Sequence, residues 1–143
     1  MLEKVCGIFL SNIIAGSRPG GIIAACWAAL VSYGYNGYVD ATKRIIQTTQ
    51  FIVKELNKIE EIEIIGEPDV CVVAFGSDYF NIYGLSNGLK ERGWNLNVLQ
   101  FPSCIHLCVT LLQTQPGVAE RFVNDVKELT KYEFLVLHAN LPK

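Results

Sequence analysis

Ala15-Gly16-Ser17-Arg18-Pro19-Gly20-Gly21 brings the residue types that contact an anion into a single turn. Pro19 suits the first turn of a helix, where its missing N–H would have had no partner. Ser17 stands where a side-chain oxygen caps that helix start. A helix start gathers unpaired N–H groups and a partial positive charge, so it draws phosphate or carboxylate. The Arg18 guanidinium adds a forked set of donors that matches phosphate oxygens. Gly16, Gly20 and Gly21 let a ligand or a second chain come close to the backbone. On residue chemistry alone, the same turn also reads as a capped helix whose arginine forms an interdomain ion pair. Both readings stand at this level.

Cys104, His106 and Cys108 form a second constellation. On a strand all three point to one face, because side chains alternate. A structural zinc site usually needs four ligands in paired clusters, and no second cluster exists here. The metal reading is therefore set aside. Cys104 lacks a base and an orienting partner for nucleophilic work. His106 is expected to be a hydrogen-bonded core histidine. The cysteines number five, an odd count, and lie in apolar segments, as reduced buried thiols do. Trp27 and Trp94 read as core or interface anchors.

These residues need elements to hold them. Gly20 to Ser32 reads as a helix apolar nearly all round, and Tyr33-Gly34-Tyr35-Asn36-Gly37 breaks it. Tyr38 to Lys58 reads as a long helix with Ile45, Ile52 and Leu56 on one face. Strands are expected at Ile62–Ile65, Val70–Phe75, Trp94–Leu99 and Cys104–Thr110. Asn81 caps a helix that Gly93 ends, and Pro116 opens a last helix carrying Val118, Phe122, Val126 and Leu129 inward. Connections between neighbouring strands are too short for parallel crossovers, so those pairs should be antiparallel. The expected fold class is α+β: two layers, helices on a mostly antiparallel sheet.

Composition narrows the partners. The 143 residues are 50% hydrophobic and 18% charged, with a formal charge of −2. One domain with a real core fits that length. The balance gives no reason to expect nucleic acid or an anionic membrane surface. No stretch is long enough to cross a bilayer. Glu3 and the want of a small-residue cleavage site argue against a signal peptide. Apolar content this high suggests a surface meant for another domain or subunit.

The strings Ala15–Gly21 and Ala24-Ala25-Cys26-Trp27-Ala28-Ala29-Leu30 resemble the sphingosine-1-phosphate lyase family. So do Gly93-Trp94-Asn95-Leu96-Asn97, Leu99-Gln100-Phe101-Pro102 and Ile105-His106. The resemblance runs from about Gly7 to about Leu129 and covers only the C-terminal part of that enzyme. It implies the small C-terminal domain of an aspartate-aminotransferase-like fold in the group II pyridoxal-phosphate-dependent decarboxylase family. The implied division is residues 1–19 as a large-domain remnant with the phosphate-contacting loop, 20–130 as the small domain, and 131–143 as a divergent tail.

The implied reaction is retro-aldol cleavage of a phosphorylated sphingoid base to a fatty aldehyde and phosphoethanolamine. The implied cofactor is pyridoxal phosphate, contacted by Gly16, Ser17 and Arg18. Complete enzymes would be homodimers at the cytosolic face of the endoplasmic reticulum membrane, while this chain alone would be cytosolic. In the family the cofactor lysine follows a histidine upstream of that loop. No lysine here follows a histidine. The chain alone, without the large catalytic domain, is thus expected to be catalytically incomplete, with no catalytic or metal-binding residue of its own. The alternatives are a fragment of a glutamate-decarboxylase-like enzyme and a free-standing, non-catalytic α+β binding module.

Overall fold

The computed structural model describes residues 19–139. The chain falls into two units, Met1–Tyr38 and Val39–Lys143. Helix α1 spans Gly20–Leu56 and supplies residues to both. The expected five-residue break shrinks to one position inside it. Gly34 alone leaves the helical region, at φ 61° and ψ 176°, a conformation that favours glycine.

Within the first unit, the helix begins with Ile22 N–H donating to Pro19 O at 3.1 Å. The Tyr33 and Tyr38 rings meet at 5.3 Å between centroids. Gly37 makes room for this pair: a Cβ there would sit 3.1 Å from the Tyr33 ring. Ile22, Ile23, Trp27, Leu30 and Val31 are all exposed.

The second unit carries the sheet. β1 is Glu63–Ile64, β2 Val72–Gly76, β3 Asn97–Leu99 and β4 Cys104–Cys108. Their spatial order is β1-β2-β4-β3, antiparallel throughout. Val73 pairs with Leu107 and Phe75 with Ile105, which puts four buried side chains on one face. Against that core pack Ile52 and Leu56 of α1, then Leu85 and Leu89 of α2 (Ile82–Glu91). Phe122 and Val126 of α3 (Val118–Ala139) complete it. The result is the two-layer α+β arrangement that the apolar periodicity predicts.

Local chemistry sets the helix ends. Asn81 Oδ1 accepts from Tyr83 N–H at 3.0 Å, the expected N-cap. Gly93 takes φ 89° and donates to Lys90 O, while Trp94 N–H reaches back to Leu89 O. These two bonds form a Schellman motif, and the Trp94–Leu89 pairing in the core is its usual apolar companion. Trp94 therefore belongs to a helix cap, and the strand starts only at Asn97. Val70 and Cys71 likewise lie in a bend before β2. Gly117, at φ 78°, separates Pro116 from the start of α3. At its other end α3 runs on through 131–139 as continuous helix.

A polar cluster ties α2 to α3. Trp94 Nε1 donates to Asp125 Oδ2 at 2.7 Å, and Arg92 Nη1 donates to Asp125 Oδ1 and Glu128 Oε2 at 2.6 and 2.9 Å. Arg121 lies over the Trp94 ring, 4.5 Å from its centroid. Burial alone would raise the Asp125 carboxyl. The Trp94 and Arg92 hydrogen bonds, with the Arg92 and Arg121 charges, outweigh it and hold the group below the ordinary carboxylate value. A carboxyl depressed by folding stabilises the fold above its unfolded value, near 3.8, and loses that contribution as pH falls through its folded value. Unfolding followed from pH 6 downward is expected to show this acid loss. Asp125→Asn should be less stable at pH 6 and should show a shallower loss below pH 4, about the usual range of carboxylates. An unchanged acid slope in the variant would contradict the assignment.

Candidate functional site

Gly16, Ser17 and Arg18, the expected phosphate-contacting residues, lie outside the described residues. The helix immediately beyond them starts at Gly20, and among the described residues Cβ atoms built at Gly20 and Gly21 would meet nothing within 4 Å. Further along, Ile22, Ile23, Cys26, Trp27 and Leu30 line an almost wholly apolar surface on the same helix. Trp27 is 67% exposed, so it anchors nothing within the described residues. Trp94, at 6%, is the core anchor.

In the second unit, Cys104, His106 and Cys108 do share a face of β4, opposite Ile105 and Leu107. Their environments differ. Cys104 is buried, Cys108 is exposed and His106 is half-buried. Asn97, paired with His106 across β3 and β4, places its Nδ2 2.9 Å from His106 Nε2. In the tautomer with Nε2 unprotonated, that nitrogen accepts the bond. His106 is hydrogen-bonded as expected, but on the sheet face away from the core. Among the described residues no group of three or more His, Cys, Asp or Glu is placed to hold a metal ion.

The described lysines lie on the helices and on the turn after α1. Lys58 and Lys127 converge on Glu55, the latter at 3.5 Å. Lys43, Lys54, Lys90 and Lys131 are spread over α1, α2 and α3. Arg44 donates to Thr114 Oγ1 at 2.9 Å, which braces the loop before α3 against α1. Sequence reasoning misses that brace, because it joins residues far apart in the chain. No helix among the described residues is long and apolar enough to cross a membrane.

No protein-family model matches the chain. Individual proteins do. Sphingosine-1-phosphate lyase 1 of Rattus norvegicus is 56% identical over 122 residues, covering 85% of this chain and 22% of the rat protein. A solved structure of the Burkholderia pseudomallei sphingosine-1-phosphate lyase superposes with a TM-score of 0.80 at 43% identity, covering 90% of this chain and 29% of that one. Catharanthus roseus tryptophan decarboxylase superposes with a TM-score of 0.64 at 15% identity over 75% of this chain and 25% of its own, a likeness of fold alone. The chain therefore spans less than a third of the length of each of these three proteins.

Proposed function

We infer the function of this chain from its family: it belongs to the sphingosine-1-phosphate lyases, enzymes of the pyridoxal-phosphate-dependent decarboxylase fold, and corresponds to their C-terminal part. The observation that carries the reading is the 56% identity over 122 residues to the rat lyase, joined to the 0.80 superposition on the bacterial one. The complete protein would cleave a carbon–carbon bond in a phosphorylated sphingoid base, giving a fatty aldehyde and phosphoethanolamine. Pyridoxal phosphate, when bound, supplies the electron sink for such a cleavage.

The residues of this chain fit one part of that work. The start of α1 after Pro19 suits a loop in which Ser17 and Arg18 hold a phosphate oxygen, with Gly16 clearing the approach. They do not fit the other part. No lysine in the chain follows a histidine, the pair that the family resemblance leads one to expect at the cofactor. We assign the chain no step of bond cleavage. Its share is to present the loop and to shape the small domain beside a large domain.

The exposed apolar run Ile22, Ile23, Trp27 and Leu30 supports a partner surface on α1. In the complete protein that surface would be covered by the large domain or by the second subunit of a homodimer. We place the complete enzyme at the cytosolic face of the endoplasmic reticulum membrane, on the family resemblance. The purified chain, mixed with pyridoxal phosphate and reduced with borohydride, is expected to trap no stoichiometric label on one lysine. It should also release no fatty aldehyde from a phosphorylated sphingoid base. A single labelled lysine with turnover would contradict this division of labour.

A further inference from the structure

In the second unit, the β3–β4 hairpin ends on an apolar tip that nothing among the described residues covers. Phe101, between the two strands, is 92% exposed and takes φ 58°, in the left-handed region that a bulky side chain rarely enters. Val98, on β3, is 53% exposed. A ring left in water gains nothing from burial, and its backbone conformation is strained as well. Such strain persists where the surrounding structure imposes it, and it gathers at sites with a task. The hairpin is braced from α2, where Tyr83 OH donates to Leu99 O at 2.8 Å. The strand behind the tip is unguarded too. β3 is an edge of the sheet, and edges usually carry a charge, a proline or a cover against stray pairing. Asn97–Leu99 has neither charge nor proline, and between Arg92 and Glu120 the chain carries no Asp, Glu, Lys or Arg. A partner covering the hairpin would therefore strip water from no carboxylate, lysine or arginine of it. Tyr83, Val98, Gln100, Pro102 and Ser103, with Phe101 itself, line a recess of about 410 Å³. The tip thus offers a ring to insert and a hollow to receive.

We infer that the Phe101 tip is a docking surface for the large domain of the complete lyase, and that it meets there an uncharged, apolar patch with a pocket for the ring. This rests on the family reading above and names where the two domains join. The occupant follows from connectivity. The chain spans less than a third of the length of the lyases it matches, so in a complete protein the rest is tethered to this domain. A tethered neighbour stands at an effective concentration on the order of millimolar, which a separate copy of the chain does not reach. Phe101 seats in that neighbour and the strained turn holds it in place, while the neutral edge of β3 is shielded from stray pairing.

Hydroxyl-radical footprinting of the native side chains tests this. In the 143-residue chain alone, Phe101 should oxidise far faster than the fully buried Phe122. In the rat lyase carrying this chain in place of its matching segment, Phe101 should oxidise about tenfold or more slowly, near the rate of Phe122, because interface cores pack like protein interiors. Phe101→Gly supplies a second arm. In the chain alone it removes an exposed ring and suits φ 58°, so the unfolding temperature should hold or rise. In the chimera the same substitution should lower it. The proposal is overturned if Phe101 is as reactive in the folded chimera as in the chain alone. It is equally overturned if protection appears in the chain alone as its concentration rises, the sign of a second copy. A Phe101→Gly chain that unfolds at a clearly lower temperature also overturns it, because the ring then serves the small domain itself. This last arm stands even where the chimera does not fold. Aldehyde release by the same chimera reports separately on the family reading: activity with an exposed Phe101 overturns the docking alone, and a folded, inactive chimera with a protected Phe101 contradicts the family reading alone.

Discussion

Phe122→Ala is expected to destabilise the chain by about 3–5 kcal/mol, the range for removing a buried aromatic ring. Phe122 is fully buried, and its ring meets two others edge-on: Trp94 at 5.1 Å and Phe75 at 6.4 Å between centroids. Those partners come from the α2 cap and from β2, so the ring joins α3 to the sheet and to the second helix. Aromatic pairs add about 0.5–1.5 kcal/mol beyond area burial, which places the loss toward the upper end. Trp94 cannot collapse into the gap, because its Nε1 is held by Asp125 and its outer face by Arg121. Urea unfolding of both proteins measures the difference. Leu112→Ala, at a side chain 68% exposed, is the control and should change stability by less than about 0.5 kcal/mol. A loss under about 1 kcal/mol for Phe122→Ala would mean the packing is not shared across the three elements.

Arg18→Ala carries the second large effect. In a complete lyase bearing this sequence, it is expected to weaken retention of the phosphate-bearing ligand by about ten- to a hundredfold. A charge-assisted hydrogen bond to phosphate is worth roughly 1.5–3 kcal/mol, and alanine supplies neither charge nor donor. Arg18→Lys should recover part of the loss, since it keeps the charge but not the forked geometry. Ser17→Ala should act in the same direction and more weakly. Titration of cofactor and of substrate against each variant measures the change. Unchanged affinity with a lowered unfolding temperature would return Arg18 to an interdomain ion pair and Ser17 to a helix cap.

Much of the fold is legible in the sequence because short-range chemistry decides it. Asn81 and Gly93 bracket α2 through bonds made within a few residues, so the residue types alone locate its ends. The faces of β2 and β4 follow from alternation, and the antiparallel pairings from short connections. Sequence and structure part where tertiary packing overrides pattern. Trp94 and Leu96 alternate like strand residues, yet Trp94 is drawn into the helix cap by Phe122, Arg121 and Asp125. Val70 and Cys71 are apolar and β-prone, yet the chain bends there before it can pair. Tyr33–Gly37 reads as a five-residue break because glycine and aromatic residues cluster there, yet one glycine at positive φ accomplishes it. The proposed loop is legible through its motif, and its residues fall outside the described part of the chain.

We propose that this chain, the C-terminal part of a sphingosine-1-phosphate lyase, works by completing a large catalytic domain. Replacing the matching segment of the rat relative with this chain's sequence tests it most directly. The expected product is a folded, cofactor-loaded chimera that releases fatty aldehyde from a phosphorylated sphingoid base at a rate within about tenfold of the parent, a difference of about 1.4 kcal/mol in the barrier. A chimera that folds and holds its cofactor yet releases no aldehyde would contradict it.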